Sequence, residues 1–215
     1  MTNFKQIAMK KSIAILVLGL CMACNTATKK ESAATESQAT TTKTKKEGAK
    51  PMKSGDYSTL LINYSCDMDI PELAKVLQVL EADLSLSEYQ TPGKCTFNLN
   101  GFGKNRLGGG TRLYWGPFPS SKGQNRKEIA NYLKYKKEGT QFMGMDIALA
   151  ETGDCYLAYQ PAQGRMIIYN ENYDQAFLIN YDKKNANTDR TEEQHEALRL
   201  KMTDLANYLL KKHRK

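Results

Sequence analysis

For residues 56–215 the sequence predicts an α+β fold: a mainly antiparallel sheet with two to three packed helices. Two capping signals ahead of apolar-periodic runs mark helices. Short runs with period-two alternation, several of them rich in Tyr and Ile, mark strands. The predicted order is strand, helix, strand, strand, helix, several further strands and a last helix, which reads as α+β.

The elements follow in chain order. YSTLLINYS, residues 57–65, reads as the first strand. Asp69, with Glu72 three residues on, opens a helix that places Ile70, Leu73, Val76, Leu77, Leu80 and Leu84 on one face. KCTFNLNGF (94–102) alternates Cys95, Phe97 and Leu99 with polar neighbours, as a half-buried strand does. RLGGG (106–110) is a turn and TRLYWG (111–116) a strand, with Gly116-Pro117 as punctuation. A helix over Glu128–Lys137 is expected to bury Ile129, Ala130 and Leu133, its entry capped by Ser120, Ser121 or Asn125. Strands are expected at 142–149, 154–160, 165–170 and 176–181. Thr191 and Gln194 form a capping box before a helix that buries Leu198, Met202, Leu205, Ala206, Leu209 and Leu210.

The chain start predicts an address. MKKSIAILVLGLCMAC, residues 9–24, has two lysines, an apolar run and then small residues, the layout of a secretory signal over residues 1–23, with Met1 or Met9 as its start. The run is too short to span a bilayer. LCMAC resembles a bacterial lipobox, which implies cleavage after Ala23 and acylation of Cys24, and so a palmitoylated lipoprotein held on a bilayer. Cys21, behind bulky Leu20, is the poorer acceptor. Residues 24–55 lack aromatics and hold little apolar surface beyond alanine, so they read as a disordered, flexible tether ahead of one domain, 56–215. The expected location is the cell membrane or outer membrane, facing the periplasm or cell surface.

Charge is informative once divided. The whole chain carries +8. Ten lysines and three glutamates lie before residue 56, leaving 21 basic against 20 acidic residues in the domain. A near-neutral domain argues against a nucleic-acid partner. Within it, residues 94–137 hold ten Lys/Arg and the single acid Glu128.

Three cysteines fall in the domain: Cys66, Cys95 and Cys155. In an oxidising compartment they allow one bridge and one leftover thiol, with Cys66–Cys95 favoured by their places beside adjacent strands. A nucleophilic cysteine with His195 or His213 as base has no flanking motif in its support. GFGKNRLGGGT lacks the Gly-Lys-Ser/Thr of a phosphate loop. Asn185, Asn187, Asp189 and Glu196 take EF-hand spacing, but Arg190 stands where that loop requires glycine. His195, on a charged helix face, is expected to be solvated. No motif supports an enzyme, and no cofactor or metal is expected.

TRLYWGPFPSSKGQNRKEIANYL resembles the second half of a SPOR (sporulation-related repeat) domain. In that family an Arg-Val-x-Val-Gly-Pro-Phe strand end leads into a helix, and Arg112, Leu113, Trp115, Gly116, Pro117 and Phe118 fall on the pattern. The resemblance covers 57–149 and implies a βαββαβ order and peptidoglycan glycan bound across the sheet. The first strand lacks the family's Gln and Gly, and residues 150–215 lie outside the likeness. The expected function is a non-enzymatic envelope lipoprotein binding such a polymer through Arg112, Tyr114, Trp115, Phe118, Lys122, Arg126, Lys127 and Lys134. An inhibitor or immunity lipoprotein acting on an exported toxin or protease is the alternative. Alternation refines the binding set: if Leu113 points inward Trp115 follows it, leaving Arg112 and Tyr114 for contact.

Overall fold

The computed structural model describes residues 54–105, 110–140, 144–182 and 188–215. The signal, Cys24, nearly all of the tether, the 106–109 turn and the Asn185 and Asn187 positions lie outside them. Gly48–Lys215 form one compact unit.

The elements are α1 (Ser58–Leu61), α2 (Ile70–Leu77), β1 (Leu84–Leu86), β2 (Cys95–Leu99), β3 (Lys104–Asn105), β4 (Thr111–Pro119), α3 (Lys122–Lys137), β5 (Asp146–Leu149), β6 (Tyr156–Gln160), β7 (Arg165–Tyr169), β8 (Gln175–Tyr181), β9 (Thr188–Asp189) and α4 (Glu192–His213). Seven strands form one antiparallel sheet in the order β1-β2-β4-β8-β7-β6-β5, and β3 pairs with β9. The fold is α+β, as the sequence predicts.

Residues 57–65 are a short helix and coil, not a strand. A strand would turn Thr59 and Asn63 to the same side as Tyr57 and Leu61. The helix instead buries Tyr57, Leu60, Leu61 and Tyr64, which sit at i, i+3, i+4 and i+7. Asp69 caps α2 by accepting from the Glu72 amide at 2.9 Å. The helix stops early because Gln78 takes a left-handed conformation at φ 53°. Leu80 is therefore left exposed, and Leu84 is buried from β1 rather than from the helix.

β4 does not end at Gly116-Pro117 but runs through Pro119. β2 begins at Cys95, opposite Trp115, so beyond that point β4 is an edge on one side. There the missing amides of Pro117 and Pro119 cost no sheet pairing. Gly116 is required by a close approach: a Cβ would lie 2.7 Å from Lys94 Cγ and 2.9 Å from the Gly93 carbonyl. α3 starts six residues before the predicted Glu128, capped by Ser121, which accepts from the Gln124 amide at 3.2 Å. Its buried stripe is Asn125, Ile129 and Tyr132, which turns Ala130 and Leu133 outward. β5, β6 and β7 fall within the predicted runs, and β8 begins one residue before its run, at Gln175. α4 has its capping box and buries all six predicted residues.

One sheet face carries the larger core, under α1, α2 and α4: Phe97, Leu113, Trp115, Ile168, Phe177, Ile179 and Tyr181, with Leu205 and Leu209 of α4. Under α3, on the other face, lies a smaller core of Ile129, Tyr132, Ile147, Ala158, Ile167, Tyr169 and Ala176. Cys66 and Cys95 form a disulfide with Cα atoms 5.1 Å apart, and Cys155 is a buried free thiol. The two ends of the described chain pair: Asp56 N–H donates to the Lys215 carbonyl at 3.1 Å, and Lys215 N–H donates back at 3.0 Å.

Candidate functional site

α3 covers only part of its sheet face. It packs on β5, β6 and β8, above the register row Gly116, Leu178, Ile167, Ala158 and Ile147. The neighbouring row is polar. Thr96 faces Tyr114, Tyr114 faces Asn180, Asn180 faces Arg165, and Arg165 faces Gln160, one residue from each of five adjacent strands. Side chains directly opposed in a sheet stand close enough to bond. Asn180 Nδ2 donates to the Tyr114 hydroxyl, Arg165 Nε to Gln160 Oε1, and Gln160 Nε2 to the Tyr132 hydroxyl. Burial raises the Tyr132 hydroxyl above its ordinary pKa, so it stays protonated. One row further, Arg112 faces Asn98 and pairs with Asp182 at 2.9 Å. The Arg165 guanidinium lies 5.8 Å from the Phe118 ring centroid.

Thr96 is buried, but Arg112 is exposed here and Tyr114, Asn98, Asn180, Arg165 and Gln160 are half-buried, so the row is reachable from solvent from Tyr114 to Gln160. Its two guanidiniums already have partners, so its chemistry is that of fixed planar donors and acceptors beside an aromatic rim. Such a surface suits a ligand rich in hydroxyl and amide groups.

Trp115 does not belong to it, although its sequence context places it in the binding set. Its ring is fully buried on the opposite face, stacked 5.5 Å from Phe97, with Nε1 donating to the Tyr64 hydroxyl at 2.7 Å. The alternation argument anticipates this, since Leu113 is buried beside it. The cations separate too. Lys122, Arg126, Lys127 and Lys134 lie on α3 and are exposed, Lys122 pairing with Asp174 at 3.4 Å. Sequence reading misses Asn98, Asn180, Arg165 and Gln160. The signal available was one polar residue interrupting or ending each apolar strand, but bringing them into one row needs the pairing register.

Elsewhere, a shallow cleft of about 490 Å³ lies between the start of α4 and the β5–β6 end, lined by Asp146, Tyr159, Glu192, His195, Glu196 and Arg199 among others. His195 is not simply solvated: its Nδ1 lies 2.9 Å from the Tyr181 hydroxyl, which is 3.3 Å from that of Tyr159. Arg199 is held by Glu196. The remaining nucleophile candidate fails on environment: burial pushes the Cys155 thiol up to about 12, against the accepted bond from Asn170, and His195 and His213 bond elsewhere. Among the described residues no group of three or more His, Cys, Asp or Glu is placed to hold a metal ion, and no helix is long and apolar enough to cross a membrane.

Compared with protein-family models, curated proteins and solved structures, the chain matches none of them.

Proposed function

We propose that the chain is an exported, lipid-anchored binding protein of the cell envelope that holds a polymer, peptidoglycan glycan, on the uncovered half of its sheet. The observation that carries the reading is the polar row Thr96–Tyr114–Asn180–Arg165–Gln160, laid across five strands beside Arg112. A linear polysaccharide presents repeated hydroxyl and amide groups over a length that such a row can follow. Burying polar groups without partners is costly, so pre-bonded amides and guanidiniums aligned at a surface favour a polar polymer over an apolar ligand. The resemblance of 111–133 to a SPOR segment points to the same partner, and the lipobox-like LCMAC supports an anchor at Cys24. No catalytic role is assigned.

Co-sedimentation of residues 48–215 with purified peptidoglycan tests the binding. The wild-type unit is expected to pellet with the polymer, and Arg112→Ala/Tyr114→Ala to remain soluble while melting near the wild-type temperature. Equal pelleting of the two proteins at low and high salt rejects the sheet face as the site. Metabolic labelling with a fatty-acid analogue tests the anchor, since Cys24→Ser should abolish the label; label lost in Cys21→Ser instead would move the site.

A further inference from the structure

We infer that the outer side of α3 is a separate electrostatic contact, fitted to an anionic lipid surface. The polar row leaves it unused. α3 has 16 residues, so it spans about 24 Å in a straight line. Its inward stripe, Asn125, Ile129 and Tyr132, is buried against the sheet, and Lys136 is drawn to that side by Asp146 at 2.8 Å and the Ile147 carbonyl. At 3.6 residues per turn, Lys122, Arg126, Leu133 and Lys137 fall within an arc of about 60°, and Lys134 and Lys127 within about 80° beyond it. All six are exposed, Leu133 at 42%.

Among the described residues Lys122 alone of these cations has an ion-pair partner, Asp174. The acids nearest along the helix are Glu128, half-buried on the other flank, and Glu138 at the C-cap. The domain as a whole is close to neutral, with 21 basic against 20 acidic residues, so this side is a local concentration of charge and not a share of a general excess. The exposed leucine amid the cations selects the partner: a head-group layer accepts an apolar side chain beside bound cations, whereas a soluble polyanion leaves it in water. The inference rests on the proposed anchor, which would keep α3 within reach of a bilayer.

The test uses residues 48–215 without the anchor. Sedimentation with phosphatidylcholine vesicles containing phosphatidylglycerol at about one part in three should show binding that pure phosphatidylcholine does not support. That binding should fall at least tenfold between about 0.1 and roughly 0.5 M salt, as the screening length drops from about 10 to roughly 4 Å. Each cation near such a surface is worth about a fivefold gain in partitioning, so Arg126→Glu/Lys134→Glu/Lys137→Glu should lose at least about a hundredfold. Arg112→Ala/Tyr114→Ala should bind vesicles like the wild type, which separates this surface from the glycan reading. Equal binding to charged and neutral vesicles overturns the inference. So does an unchanged affinity in the triple variant, or tight binding to soluble polyphosphate with none to vesicles.

Discussion

At Trp115 the ring is sealed from solvent and stacked on Phe97, with its one polar atom bonded to Tyr64. Tyr114, the next residue back, stands on the other face with its hydroxyl bonded to Asn180. Truncating a buried aromatic leaves a cavity, so Trp115→Ala should lower unfolding free energy by about 3–5 kcal/mol, and Tyr114→Ala by no more than about 1 kcal/mol. Urea denaturation of both variants measures the contrast, and similar losses would reverse the assignment of faces. This distinction was legible in the sequence, because Leu113 and Trp115 share a parity. What was not legible is that Arg112 would be neutralised by Asp182, since no local pattern connects residues that far apart. Cys155 gives a second measurement. Its pKa is raised by burial, so its contribution to stability is complete below the ordinary thiol value and is lost as pH climbs toward about 12. Folded protein at pH about 8 should resist iodoacetamide, and denatured, unreduced protein should take up one label in the domain. Rapid labelling of the folded chain would contradict the buried environment.

The elements show where periodicity suffices and where it misleads. α4 is legible in its capping box and six core positions because a 22-residue helix repeats its pattern many times. The 57–65 stretch is short enough for both periods to fit, and packing of Tyr57, Leu60, Leu61 and Tyr64 against the core decides for the helix. In α3 the first turns have no apolar residue, so the apolar pattern marks the helix only from Glu128 on. The inward position is filled by Asn125, whose Nδ2 donates to the Asn170, Tyr173 and Gln175 carbonyls at 3.0, 2.9 and 3.1 Å. Asn125→Ala should therefore cost about 2–4 kcal/mol, more than the ~1 kcal/mol of Ser121→Ala at the cap, because it leaves several buried carbonyls unpaired. Thermal melts of the two variants rank them, and a cap loss equal to or larger than the Asn125 loss would refute that role. The disulfide acts on an element as well, tying the coil before α2 to the start of β2 across 29 residues. Closing a loop of that length limits the unfolded chain, so Cys66→Ser/Cys95→Ser should lose about 3–4 kcal/mol against guanidinium yet keep its far-ultraviolet spectrum.

Across the whole molecule, the chain enters the domain and leaves it at the same place. Gly55 N–H donates to Asp154 Oδ2 at 2.8 Å, the Tyr57 hydroxyl donates to Oδ1 at 2.6 Å, and Arg214 Nη2 lies 3.4 Å from Oδ2. Asp154, with its side chain 6% exposed, thus gathers the first described residues and the end of α4 around the β5–β6 connection. A Cβ at Gly55 would come within 2.7 Å of the Arg214 side chain, which would have to move aside. No periodic signal marks this clamp, whose members come from three distant parts of the chain. If a lipid tether precedes Gly55, any pull on it is delivered to this carboxylate and so to α4. Burial alone would raise the Asp154 pKa, but the Gly55 amide, the Tyr57 hydroxyl and Arg214 outweigh it and hold the carboxyl below its ordinary value. A depressed folded-state pKa means the unfolded chain binds the proton first. The stability it contributes is therefore present above pH about 4 and lost as pH falls through the folded-state value. Asp154→Asn keeps the shape and removes the charge, so it should be less stable at pH 7 by about 2–3 kcal/mol. The gap should narrow as pH falls below about 4, where the unfolded chain takes up its proton first, and should close once pH has passed below the lowered folded-state value. Amide exchange at Asp56 and Lys215, whose backbones pair across the clamp, should quicken in the variant while that of the central strands β4 and β8 holds. Denaturation of both proteins from pH 7 to about 2 checks the energetic half. A gap that stays constant over that range would show that the charge of Asp154 does not secure the chain ends.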